Sequence, residues 1–203
     1  MKKLTMALIL LLASILVPVW PASATLIQID LKDFYADPSV SVVADGSSAT
    51  MNENADYTTV LLSNDPYFGD PGIEVPADLL TLNFSYSFSV GNGNNDEFYA
   101  WVFDGDDGTI LRDLTIRSYG ASTVAGTVSW DLSGINPLIT LLGLEFQLNS
   151  LETDPSEELP ADSYVRISNV YMETASVPEP ATILLLASGL FGILGVRRRK
   201  LRN

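Results

Sequence analysis

The sequence predicts an all-β domain folded as a two-sheet antiparallel β-sandwich of jelly-roll type, and three observations carry that prediction. Apolar residues recur with a period of two over long stretches, turn residues punctuate those stretches at short intervals, and no convincing amphipathic helix interrupts them. The longest alternation places Leu80, Leu82, Phe84, Tyr86, Phe88 and Val90 on one face. Thr81, Asn83, Ser85, Ser87 and Ser89 fall on the other, as expected of a strand with one buried and one solvated side.

Taken in order, the chain opens with Lys2 and Lys3, an apolar core over 4–17 and the small-residue site Ala22-Ser23-Ala24. This pattern predicts a signal peptide over 1–24, removed by signal peptidase. Ile27, Ile29 and Leu31 read as a first strand, followed by strands within 39–44, 58–62 and 80–90. The segment 97–104 is Glu-Phe-Tyr-Ala-Trp-Val-Phe-Asp, with large apolar groups on both faces, so it belongs at the centre of a sheet or under a loop. Further strands are expected at 109–117, 124–132, 142–148 and 164–173. Turns fall between them at Asp45-Gly46, Asn64-Asp65-Pro66, Gly69-Asp70-Pro71-Gly72, Gly91-Asn92-Gly93 and Asp104-Gly105-Asp106-Asp107-Gly108. Eight or nine strands in one domain spanning 25–176 favour the sandwich, with a closed barrel as the alternative.

Composition narrows the chemistry. The chain has no Cys and no His, which excludes disulfides, Ser-His and Cys-His nucleophile systems and His-ligated zinc. Of the 11 basic residues, two lie at the N-terminus and five in the last seven residues. That leaves four, Lys32, Arg112, Arg117 and Arg166, in the predicted domain. Against them stand all the acids but Glu179, 24 of 25, for a net charge of −20. So acidic a surface repels nucleic acid and anionic lipid. Carboxylates remain the candidates for acid and base work, yet nothing in the sequence singles out a pair, and a non-catalytic domain is expected.

The C-terminal stretch 177–203 has a different character. Val177-Pro178-Glu179-Pro180 precedes an apolar run over 181–196, followed by Arg197-Arg198-Arg199-Lys200-Leu201-Arg202. Sixteen residues of helix measure about 24 Å, short of a ~30 Å hydrocarbon core, so the run is expected to span only by thinning the bilayer or by snorkelling. The basic tail at 197–203 holds the C-terminus in the cytoplasm. This order of parts resembles the PEP-CTERM sorting signal of Gram-negative bacteria, carried by Pro178, Glu179, Pro180, Arg197, Arg198 and Arg199. The resemblance implies recognition and cleavage by an exosortase in the inner membrane, after which the upstream domain reaches the cell surface or extracellular matrix.

Within the domain, two clusters invite ligands. Asp104, Asp106 and Asp107 crowd a glycine turn and offer hard oxygen ligands to Ca²⁺, although a plain hairpin turn explains the same residues. Tyr67, Phe68 and Trp101 are the aromatic residues best placed for exposure, and aromatic faces stack on sugar rings. The span from Asp45-Gly46 through Glu53, together with Val165 to Val170, resembles the carbohydrate-binding, galactose-binding-like jelly rolls. That resemblance implies a structural Ca²⁺ near Glu53 and Asp162, with Ser168 standing where those domains commonly carry an acid. The expected function is therefore a non-catalytic exported protein that binds glycan or builds the exopolysaccharide layer. The alternative is a carboxylate-dependent glycan hydrolase or lyase.

Overall fold

The computed structural model describes residues 24–54, 59–91, 95–150 and 163–175. The predicted signal peptide, spanning segment, sorting residues and Asp162 lie outside these. The described unit, Thr25–Ala175, encloses its own core.

Twelve strands form it: β1 (Thr25–Gln28), β2 (Tyr35–Ala36), β3 (Val40–Val42), β4 (Ser48–Asn52), β5 (Thr59–Asn64), β6 (Ile73–Glu74), β7 (Leu79–Val90), β8 (Asn95–Asp104), β9 (Ile110–Tyr119), β10 (Ser122–Asp131), β11 (Leu141–Ser150) and β12 (Tyr164–Thr174). They pair into two sheets. The first runs β10-β7-β12-β4-β3, with β1 on β12, and the second runs β2-β5-β11-β8-β9, with β6 on β11. Every pairing in both is antiparallel. Eight principal strands give the orders β4-β12-β7-β10 and β5-β11-β8-β9. The chain changes sheet at each step between them except in the β8–β9 hairpin, which is the winding of a jelly roll.

The core lies between the sheets and is aromatic at its centre. Phe84 packs edge-on against Trp130 and Phe146 at centroid distances of 5.1 and 5.2 Å. The period-two reading identified its contributors: Leu82, Phe84, Phe88 and Val90 from β7 and Leu142, Leu144, Phe146 and Leu148 from β11 are all buried. In β12 the buried residues are Val165, Ile167, Val170 and Met172, so the alternation slips by one in the middle. A bulge between Ser168 and Tyr171 absorbs the extra residue, and Asn169 takes the left-handed conformation there with φ 54°.

Three details differ from the expectation. The first strand stops at Gln28, because the Asp30 side chain accepts a bond from the Lys32 amide and turns Leu31–Asp33 into a 3-10 turn. Short strands β2 and β6, too brief to show a period, raise the count above eight or nine. Strand β4 was also unforeseen: Ser-Ala-Thr-Met-Asn offers only Ala49 and Met51 to the core.

Candidate functional site

On β8 the side chains of Phe98, Ala100 and Val102 enter the core, so Glu97, Tyr99, Trp101 and Phe103 point to the outer face of the second sheet. Cross-strand register extends this into three rows. Trp101 stands between Asp113 and Glu145, with Ser63 and Tyr35 beyond; Tyr99 stands between Thr115 and Gln147, with Leu61 beyond; Glu97 stands between Arg117 and Asn149, with Thr59 beyond.

The rows are cross-linked. Arg117 forms an ion pair with Glu97, and the Tyr99 hydroxyl donates to the same carboxylate. That donated bond, followed by burial, pushes the Tyr99 hydroxyl above its ordinary pKa. Gln147 donates to Asn149 Oδ1 at 2.6 Å, and Thr59 donates to the same oxygen at 3.2 Å. The Tyr99 and Trp101 rings are stacked at 5.1 Å and 11°. Lying against each other, they spend one face each on the pair.

At the end of the face beyond Trp101, Phe103 is buried outside the main core. It lies across Gly143, where a Cβ would come within 1.9 Å of the ring. The loop after β5 reaches the same end. The Asp65 side chain accepts from the Tyr67 amide at 2.9 Å, Pro66 starts a 3-10 turn, and Gly69 ends it at φ 103°. The Tyr67 ring packs over Gly108 of the β8–β9 hairpin and Pro66 over Gly105. Tyr67 and Phe68, 60% and 82% exposed, meet edge-on at 5.4 Å. All three aromatic candidates from the sequence thus fall at this end of one sheet. Glu145, in the Trp101 row, has its pKa raised by burial and by the charge of Asp65, and Asp65 in turn is raised by burial and then by Asp70.

The candidate metal residues are placed differently. Asp104 accepts from the Asp106 amide and Asp107 from the Thr109 amide, while the Gly108 amide bonds the Asp104 carbonyl. These carboxylates serve the hairpin turn. Glu53 is buried at the sandwich end, accepting from Ser150 Oγ at 2.7 Å and from the Ser163 amide at 3.2 Å. Ser163 Oγ donates to buried Asp96 and accepts from the Gly91 amide at 2.9 Å. Among the described residues no three carboxylates gather closely enough to hold a metal ion.

Sequence reasoning singled out Trp101, with Tyr99 in the wider aromatic set, but not its neighbours Glu97, Arg117 and Glu145.

The architecture and the chain's C-terminal stretch together define the class: a jelly-roll domain followed by a sorting signal. Residues 176–200 match the PEP-CTERM protein-sorting motif, which makes this an exported protein processed by exosortase, with a C-terminal membrane anchor before processing. No curated protein matches the chain significantly. Among solved structures it is similar to a carbohydrate-binding module that recognises mannan (10% identity, TM-score 0.40, covering 76% of this chain and 96% of that one). It is also similar to an agarase (11% identity, TM-score 0.45, covering 75% and 24%) and to an arabinose-bound α-L-arabinofuranosidase (14%, 0.36, covering 75% and 22%). The chain thus spans about a quarter or less of either enzyme.

Proposed function

We propose that the jelly roll is a non-catalytic module of the cell surface or extracellular matrix that binds glycan on the outer face of its second sheet. The observation that carries this is the half-buried Tyr99–Trp101 pair set among Gln147, Asn149 and Thr59. An apolar ring face for sugar C–H groups stands beside amides and hydroxyls for sugar hydroxyls. We further propose a structural Ca²⁺ near Glu53 and Asp162. Its described surroundings, Glu53, Asp96, Ser150 and Ser163, all carry side-chain oxygens, as Ca²⁺ requires.

The hydrolase alternative has one observation in its favour, the raised pKa values of neighbouring Glu145 and Asp65. The other carboxylate of this face named above, Glu97, does not complete a pair with Glu145, since the two stand four residues apart in register. At ~3.3 Å per residue that is about 13 Å, wider than the ~5 to 9.5 Å of glycosidase carboxylate pairs.

The test is the melting temperature of the 25–176 domain across a glycan panel, with and without Ca²⁺. A ligand at a hundred times its Kd adds ~2.7 kcal/mol. A glycan shift lost in Trp101→Ala supports the reading. Release of new sugar ends by the wild type, abolished in Glu145→Gln, would replace it with the hydrolase.

A further inference from the structure

The charges around the Tyr99–Trp101 pair are of one sign. Trp101 has Asp113 beside it on β9 and Glu145 on β11, each about 5 Å away across the strands, and both turn to the outer face because Leu114, Leu144 and Phe146 turn to the core. Glu145 feels the charge of Asp65, and Asp65 that of Asp70, whose carboxylate accepts from the Asp65 amide at 3.0 Å. Of the four basic residues in the domain, Arg117 alone lies on this face, and it is engaged by Glu97. Lys32 pairs with Asp30, Arg112 stands opposite inward-facing Val102 and reaches the Asp131 carbonyl, and Arg166 stands between Ser87 and Thr50 in the first sheet. A ligand on Trp101 therefore meets Asp113, Glu145, Asp65 and Asp70 with no lysine or arginine paired to them among the described residues.

We propose that the glycan taken by this face is a cationic one, a polymer of amino sugars with free amines, and that Asp113 and Glu145 are the residues that select it. The inference rests on the reading of this face as a glycan site and supplies the class of sugar. A uronic or sulfated glycan would set anion against anion beside the ring, and a neutral one would take Glu145 further out of water with no countercharge in return. A protonated amine instead pairs with either carboxylate and is attracted by the face of the Trp101 ring. Its charge also offsets the repulsion between Glu145 and Asp65. The spread of the acids favours a polymer over a single ion. Asp113 and Glu145 stand on opposite sides of Trp101, about 10 Å apart at two strand spacings, so one metal ion does not touch both, whereas amines repeated along a chain reach each. The domain's net charge of −20 acts in the same direction, drawing a polycation towards the face.

The experiment is calorimetric titration of the Thr25–Ala175 domain, which encloses its own core, with a glucosamine oligomer, its fully N-acetylated counterpart and a galacturonate oligomer of the same length. Weakly acidic buffer keeps the sugar amines protonated. The amine oligomer should bind at least about tenfold more tightly than the acetylated one, and the galacturonate more weakly than either. Asp113→Asn with Glu145→Gln should erase that preference and leave the affinity for the acetylated oligomer unchanged, with a melting curve to check that the variant folds. Glu173→Gln, opposite Thr81 on the outer face of the first sheet, should leave the preference intact. Equal affinity for the amine and acetylated oligomers, or a preference that survives the double variant, overturns the proposal and leaves the glycan site standing. Polylysine bound as tightly as the amine oligomer, and equally well by Trp101→Ala, also overturns it, since the acidic surface then attracts any polycation. If no oligomer binds, the glycan reading itself falls and this inference falls with it.

Discussion

The two outer faces of the sandwich are built on the same alternation and carry opposite chemistry. On the first sheet, β7 presents Thr81, Asn83, Ser85, Ser87 and Ser89, and these bond their neighbours: Ser85 with Thr127 at 3.3 Å, Ser89 with Thr123 at 3.2 Å, Asn83 with Thr81 at 2.7 Å. On the second, β8 presents Glu97, Tyr99, Trp101 and Phe103, of which Phe103 is buried and the aromatic pair half-buried. A strand needs only one apolar face to join a core. The apolar groups on the other face of β8 are therefore surplus to folding the sandwich, and surplus of that kind marks either a covered patch or a binding surface.

The comparison breaks most sharply at the core beneath both faces. Phe84→Ala should cost about 3 to 5 kcal/mol in denaturant unfolding, because it removes the ring that joins Trp130 to Phe146. Its outward neighbour Ser85→Ala should stay within ~0.5 kcal/mol. Next in size is Gly143→Ala, whose Cβ cannot coexist with the Phe103 ring. A loss of about 1 to 3 kcal/mol is expected, and Phe103→Leu in the same chain should recover part of it. Trp101→Ala should separate the faces by function. Glycan affinity should fall at least about tenfold by calorimetry, for a stability loss below ~2 kcal/mol, whereas Ser87→Ala on the first sheet should change neither.

How much of this could be read from the sequence depends on how local each feature is. The alternation in 80–90 and 142–148 gave the inward residues directly, and the Pro178-Glu179-Pro180 and Arg197–Arg199 pattern gave the export route, because both are written in contiguous residues. The both-faced apolar character of 97–103 was also local, and it placed the segment in the interior of a sheet or under a loop; β8 lies between β11 and β9. What lies across strands was not legible. Nothing near Trp101 in the chain announces that Glu145 stands opposite it, 44 positions away, or that Arg117 faces Glu97. Glu53 and Asp96 meet through Ser163 only because three chain segments end together. β4 was missed because its small residues are recruited by β12 rather than by their own propensity.

The smallest expected effects carry opposite signs on the two sheets, which makes pH a fine probe of the difference. On the second sheet, burial and then Asp65 raise the pKa of Glu145 above its ordinary 4.5, so the folded state holds that proton more tightly than the unfolded chain. Stability from this group is full in acid and declines as pH rises through 4.5 to the raised value. Glu145→Gln should therefore raise the melting temperature at pH 7 and leave it unchanged near pH ~3. On the first sheet, Asp131 at the end of β10 accepts from the Ser133 hydroxyl and amide, which lowers its pKa below the ordinary 3.8. Its contribution is present above 3.8 and lost as pH falls through the depressed value, so Asp131→Asn should lower the melting temperature at pH 7 and converge on wild type in acid. If both variants shift in the same direction at pH 7, the acids of the second face are not held under desolvation, and the contrast between a solvated face and a binding face fails at that point.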